Sequence, residues 1–267
     1  MSMEGRVALV TGASRGIGAS IAERFAVDGA AVAISARTVE EGDHPLPGSI
    51  ATTLRSIAAA GGTALPVAAD LAKQEDRTRL IETVEKELGA IDVLVNNAAI
   101  TYFEPVDGFG ETHYRLMFEV QVRAPFELAQ RVLPGMRERK RGWILNISSG
   151  AAVHPQGPPY ARAVSGGTTY GMCKAALERF TTGLAAETYA DGIAVNALSP
   201  SGLVKTPGVV HHGLDRLVPA ENVEPVEYMV EAAYALCTGD PASLTGRVTY
   251  AKPILSELGI TVQARPA

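Results

Sequence analysis

Cysteine is nearly missing from these 267 residues: there are two, Cys173 and Cys237. Two cysteines cannot build a disulfide framework, so the fold must be held by its core, and a reducing compartment is expected. Tryptophan occurs once, and aromatic residues make up 6% of the chain. Basic runs are absent as well. The formal net charge is −5, so neither nucleic acid nor an anionic membrane finds an electrostatic footprint. No apolar run approaches the ~18 residues that a membrane span needs. The opening "MSMEGRVALVTGAS" goes straight into a strand pattern without the layout of a signal peptide, so a cytoplasmic location is expected. The histidines, His44, His113, His154, His211 and His212, show no metal-ligand spacing, and no metal is expected.

What remains is an ordinary globular composition, 46% hydrophobic and 20% charged, in a chain long enough for a full core. Short β-rich runs at 7–10, 31–35, 64–69, 92–96, 143–147, 193–198 and 247–251 alternate with helical patterns. The helical patterns cover roughly 16–28, 49–60, 75–88, 111–138, 169–190 and 225–237. The strand runs are almost continuously apolar, as strands buried on both faces are. Glycines at Gly29, Gly61, Gly62, Gly89 and Gly192 mark helix ends. This alternation predicts an α/β fold, a doubly wound parallel sheet. No linker or internal repeat divides the chain, so a single domain over 1–267 is expected. Irregular segments at 38–48, 150–168 and 199–224 each follow a strand and should border the ligand-binding edge.

The first strand runs into "TGASRGIG" and then a helix. Gly12, Gly16 and Gly18 permit a tight turn and close backbone approach to a pyrophosphate. Thr11, Ser14, Arg15 and Ile17 complete the turn, and the helix N-terminus offers free N–H groups. At the end of the second strand, "AISART" supplies Arg37 and no carboxylate. An acid there would hold a ribose 2′-hydroxyl. Two guanidiniums, Arg15 and Arg37, suit a 2′-phosphate instead, so NADP(H) is expected ahead of NAD(H). Both arginines could also be plain solvated charges.

Tyr170 and Lys174 stand four apart on a predicted helix and share a face. A lysine beside a tyrosine, together with the positive charge of a bound nicotinamide, favours the phenolate and lowers a pKa that is normally near ~10. Such a tyrosine can give a proton to a forming alkoxide or take one from an alcohol. A chance pair on an amphipathic helix would look the same. Tyr160, the neighbouring tyrosine, has Val164 four residues on and lies in a Pro/Gly loop, so it is expected at the surface or on a substrate loop. Cys173 reads as packing.

Five motifs in order, "TGASRGIG", "NNAA" at 96–99, "NISS" at 146–149, "YGMCK" at 170–174 and "NALSP" at 196–200, resemble the short-chain dehydrogenase/reductase family. "HPLPGSI" and the ending "SLTGRVTYAKPILSELGI" are similar to its hydroxysteroid dehydrogenase-like protein 2 group. The resemblance covers nearly the whole chain. It implies a Rossmann-type seven-stranded sheet and NAD(P)-dependent interconversion of a carbonyl and a secondary alcohol. It assigns Ser149 to the substrate oxygen, Tyr170 to acid–base duty and Lys174 to the nicotinamide ribose. It places Asp70 and Leu71 near adenine, Asn97 and Ala98 beside the cofactor, and Pro200 and Thr206 near the carboxamide. It also implies a homodimer or homotetramer.

Three departures qualify that picture. Gln121 stands where the family has an asparagine of the proton relay, so its place in catalysis is doubtful, and a nucleotide-binding scaffold with weakened catalysis is the alternative function. Ser201 replaces a glycine, which demands a less permissive backbone. Ser149 and Tyr170 are 21 positions apart, about eight more than the family pattern, which suggests a lid over the site. Apolar Val153, Val164, Leu203, Val209, Val210 and Leu214 in the two substrate loops hint at a small apolar substrate, and His211 and His212 are expected as solvated surface, with a substrate-lid contact as the alternative.

Overall fold

The computed structural model describes residues 2–160 and 166–263. The apolar runs form seven parallel strands: β1 Val7–Thr11, β2 Ala31–Ala36, β3 Ala64–Ala68, β4 Val93–Asn96, β5 Gly142–Ile147, β6 Ile193–Ser199 and β7 Val248–Tyr250. Their spatial order is β3-β2-β1-β4-β5-β6-β7. The helices are α1 Gly16–Val27, α2 Ile50–Ala59, α3 Gln74–Leu88, α4 Glu111–Phe118, α5 Ala124–Glu138, α6 Thr168–Thr188, α7 Pro207–His211, α8 Val226–Thr238 and α9 Ala251–Glu257.

The pleat decides which layer each side chain enters. In β1, Ala8 and Val10 join the core beneath α1, α2, α8 and α9, while Val7 and Leu9 join the core beneath α3, α5 and α6. In β4, Val93 and Val95 take the first side and Leu94 the second. Both faces are covered, which is why the strands read as unbroken apolar runs. β3 forms one edge, and it alone among the strands carries a proline, Pro66, as an edge tolerates. The chain reverses its direction of travel between β1 and β4. A ligand crevice therefore opens beyond the carboxyl ends of these two strands.

The pattern at 111–138 is not one regular helix. α4 and α5 are joined by a π-helical turn, Glu119–Arg123. Pro125 explains it: a proline has no N–H to give and its ring crowds the carbonyl four residues earlier, here that of Gln121. The segment 199–224 is also more ordered than its composition suggests. Thr206 caps α7 by accepting from Val209 N at 3.3 Å, Pro207 opens that helix, and Leu203 bridges to Val223.

Candidate active site

The glycine turn leaves β1 and starts α1. Gly12 and Gly16 hold φ of 65° and 58°, where a side chain would be strained. A Cβ on Gly12 would also come within 2.7 Å of the Ala98 Cα. The turn is braced from β4: Asn97 Nδ2 donates to Thr11 O at 2.9 Å and to Gly12 O at 3.1 Å. Thr11 Oγ1 accepts from Asn97 N and Ala98 N at 3.1 and 3.2 Å. Asn96 lies deeper, donating to Asn146 Oδ1 at 2.9 Å, and Asn146 donates in turn to Thr181. These amides hold the central strands together.

Beyond this turn lies a cavity of about 1050 Å³. Ser14, Arg15, Gly16, Ile17, Arg37, Asp70, Leu71, Asn97 and Ala98 line one part of it. Ser149, Tyr170, Lys174, Pro200 and Thr206 line the other. Thr11 and Gly18, expected at the cofactor, stand behind the wall: Thr11 is 1% exposed and Gly18 abuts Asn97. Gln121 is buried as well, and its neighbour Val120 reaches the cavity.

A dinucleotide fits these residues. No side chain caps the first turn of α1 and no acid stands in it, and Gly16 and Ile17 at its start line the cavity, so its N-terminus is available to an anion. Ser35 Oγ, on the wall, and Arg15 Nε are buried without a hydrogen-bond partner. The Arg15 guanidinium also donates to Gly48 O at 2.5 Å. Burial lowers its pKa most, Glu41 opposes this, and nearby Arg37 lowers it further.

At the other end, Lys174 is 3% exposed and donates from Nζ to Ile147 O at 2.8 Å. Burial brings it down to about 8, against the pull of Cys173 and Glu178. Tyr170 is partly buried, and burial pushes its phenol above the ordinary value while its hydrogen bond with Ser149 acts in the opposite direction. Lys174 Nζ lies 5.5 Å from the centre of the Tyr170 ring. Phe103 closes this end, edge-on to Tyr170 at 6.2 Å and to His212 at 5.2 Å.

Several of the wall residues were not legible in the sequence. Tyr102 and Phe103 follow β4 in a stretch without a motif, and His44 comes from the 38–48 segment. His211 and His212 are exposed and both border the cavity, which combines the surface position expected of them with the alternative contact. From the segment at 150–168 the described wall takes Gly150 alone, and Tyr160 is 68% exposed away from it. Val164 lies outside the described residues. Among the described residues, Leu203, Val204, Val209, Leu214 and Val218 of the 199–224 segment line this cavity, and the lid expected at 150–168 falls partly outside the described residues.

The two departures beside the site have structural partners. Gln121 Nε2 donates to Ile100 O at 2.8 Å, and its Oε1 is buried without a partner. Ser201 does not occupy the left-handed region, so the expected backbone difficulty does not arise. Its N–H donates to Glu224 Oε1 at 3.3 Å, and its Oγ accepts from Lys252 N at 2.9 Å, at the start of α9. Among the described residues, no cluster of His, Cys, Asp or Glu is placed to hold a metal, and no helix is long and apolar enough to cross a membrane.

A parallel doubly wound sheet, a glycine turn at its switch point, and serine, tyrosine and lysine converging on one cavity define a dinucleotide-binding fold of the Rossmann type. The chain belongs to the short-chain dehydrogenase family, whose model, described as "short chain dehydrogenase", matches residues 6–215. Hydroxysteroid dehydrogenase-like protein 2 of Danio rerio is 32% identical over 97% of this chain, which spans 60% of that relative's length. A short chain dehydrogenase from Mycobacterium thermoresistibile superposes with a TM-score of 0.83 at 31% identity, over 97% of this chain and 89% of that one. A 3-oxoacyl (acyl-carrier-protein) reductase from Agrobacterium tumefaciens, solved with NADP bound, gives 0.78 at 31% identity over 93% of both chains.

Proposed function

We propose that this enzyme interconverts a carbonyl and a secondary alcohol with NADP(H), using Tyr170 as general acid and base. The observation that carries this reading is the convergence of Ser149, Tyr170 and Lys174 at one end of the cavity, with Arg15 and Arg37 at the other. A bound nicotinamide supplies or accepts the hydride. The turn from Gly12 to Gly18 and the N-terminus of α1 hold its pyrophosphate, Asp70 and Leu71 flank the adenine, and Pro200 and Thr206 border the carboxamide. Arg15 and Arg37 hold the 2′-phosphate.

The chain's own residues do the rest. Ser149 donates to the substrate oxygen and fixes it beside the Tyr170 hydroxyl. Tyr170 gives its proton to that oxygen as charge develops there, and takes it back in the oxidative direction. Lys174, pinned by Ile147 O, holds the nicotinamide ribose and keeps positive charge below the phenol. Gln121 Oε1 has an unfilled acceptor in the interior and is suited to a relay water. Leu203, Val204, Val209 and Phe103 suit a small apolar substrate.

A homodimer or homotetramer forms through α4 and α5, where Phe126 is 50% exposed beside Phe180. The reading also takes the enzyme to act in the cytoplasm. NADPH consumption across a panel of ketones, aldehydes and acyl thioesters tests the reaction. Turnover on at least one of these is expected. Tight NADPH binding with no turnover on any would favour a nucleotide-binding scaffold instead.

A further inference from the structure

The segment that follows β2 is held as a strap along the edge of the cavity. The Asp43 carboxylate accepts from Val39 N and Glu40 N at 3.2 and 2.9 Å. Glu41 accepts from Gly48 N at 2.9 Å and from Thr52 Oγ1 at 3.0 Å. Gly48, at φ 100°, turns the strap into α2, and its carbonyl accepts from Arg15. Between these ties stands His44, whose ring lines the cavity with Arg15 and Arg37.

Two groups point at His44 Nδ1. Leu46 N is 3.1 Å away and Arg15 Nη1 is 3.3 Å away. A backbone N–H and a guanidinium can only donate. Nδ1 must therefore accept, so the ring is neutral and its proton sits on Nε2. The surroundings agree: burial, then Arg15, Arg37 and His211, hold this histidine below its ordinary pKa. Among the described residues nothing accepts from Nε2. The strap thus presents one oriented N–H donor beside two guanidiniums, and adds no third charge.

Resting on the NADP(H) reading above, we infer that His44 is a specificity-determining residue whose Nε2–H donates to the 2′-phosphate of NADP(H). The pyrophosphate belongs at the first turn of α1. The adenosine ribose belongs at the end of β2, where the strap begins. Arg15 therefore does two things: it faces the phosphate, and it locks the tautomer that lets His44 share it. A phosphate monoester bound by two guanidiniums and a fixed imidazole donor is held on three sides, which a ribose hydroxyl cannot match.

The test is cofactor affinity in His44→Asn and His44→Gln, measured by titrating each purified protein with NADPH and with NADH. Thermal unfolding without cofactor checks the strap. Asparagine places an amide oxygen near the Nδ1 position, keeping the bonds from Leu46 and Arg15, but cannot reach as far as Nε2. Glutamine reaches further and offers an N–H there. The expected result is about a tenfold or larger loss of NADPH affinity in His44→Asn, NADH affinity within about twofold, and partial recovery in His44→Gln. An unchanged NADPH affinity in His44→Asn overturns the inference, as does an equal loss for both cofactors. A wild-type protein that binds NADH as tightly as NADPH would overturn the cofactor reading itself, and this inference with it.

Discussion

Lys174 Nζ stands 5.5 Å from the centre of the Tyr170 ring while donating a 2.8 Å hydrogen bond to Ile147 O. The lysine is thereby held from below by the strand it rests on, and its charge faces the aromatic ring rather than a carboxylate. Glu178, the nearest acid to influence it, accepts from Ser148 Oγ at 2.6 Å. The site keeps an ammonium in a place that disfavours it, as functional sites often do.

That arrangement has a measurable consequence for stability. The folded pKa of Lys174, about 8, lies below its ordinary 10.5. Below pH 8 both states carry the proton and the full burial penalty applies. Between about pH 8 and 10.5 the unfolded chain binds more protons, so this residue's contribution to stability rises with pH. The penalty is about 3 kcal/mol, offset by about 1 kcal/mol for the bond to Ile147 O. Lys174→Met should therefore raise the unfolding midpoint at pH 7, with the gain shrinking towards pH 10, while abolishing most turnover. Urea unfolding at both pH values checks the sign.

Gln121 should not tolerate the shorter amide that the family pattern would suggest. The π-helical turn at Glu119–Arg123 changes the helix surface, and the extra methylene spans the gap to Ile100 O. Gln121→Asn should lower kcat about tenfold with little change in KM, and cost about 1 kcal/mol of stability. Steady-state kinetics with thermal unfolding separates the two effects.

Arg37 is exposed at the end of β2 and makes its contribution through charge. Arg37→Ala should weaken NADPH about tenfold and leave NADH nearly unchanged. The ratio of kcat/KM for the two cofactors reads this directly.

Ser201→Gly would restore the family's residue yet should destabilise the protein. The hydroxyl accepts from Lys252 N at the start of the seven-residue helix α9. Losing that cap should cost about 1 kcal/mol and lower Tm by about 2–4 °C.

The sheet was legible because buried parallel strands leave apolar runs, and the glycine turn because only glycine suits its backbone. Ser149, Tyr170 and Lys174 were legible from their ordered motifs. The π-helical turn was signalled by Pro125, a residue that periodicity alone passes over. Thr206 and Pro207 likewise announced α7 inside a segment read as irregular. His44 and Phe103 could not be found this way, because their importance lies in contacts with Arg15 and Tyr170, distant in sequence. The cap that Ser201 gives to α9 spans 51 positions and leaves no local trace.

The central claim is that Tyr170 carries the proton. Tyr170→Phe keeps the ring that packs against Phe103 and Lys174 but removes the hydroxyl. On the best carbonyl substrate of the panel, turnover should fall by about a hundredfold or more, with NADPH affinity within about threefold of the wild type. Wild-type turnover in Tyr170→Phe would contradict the account.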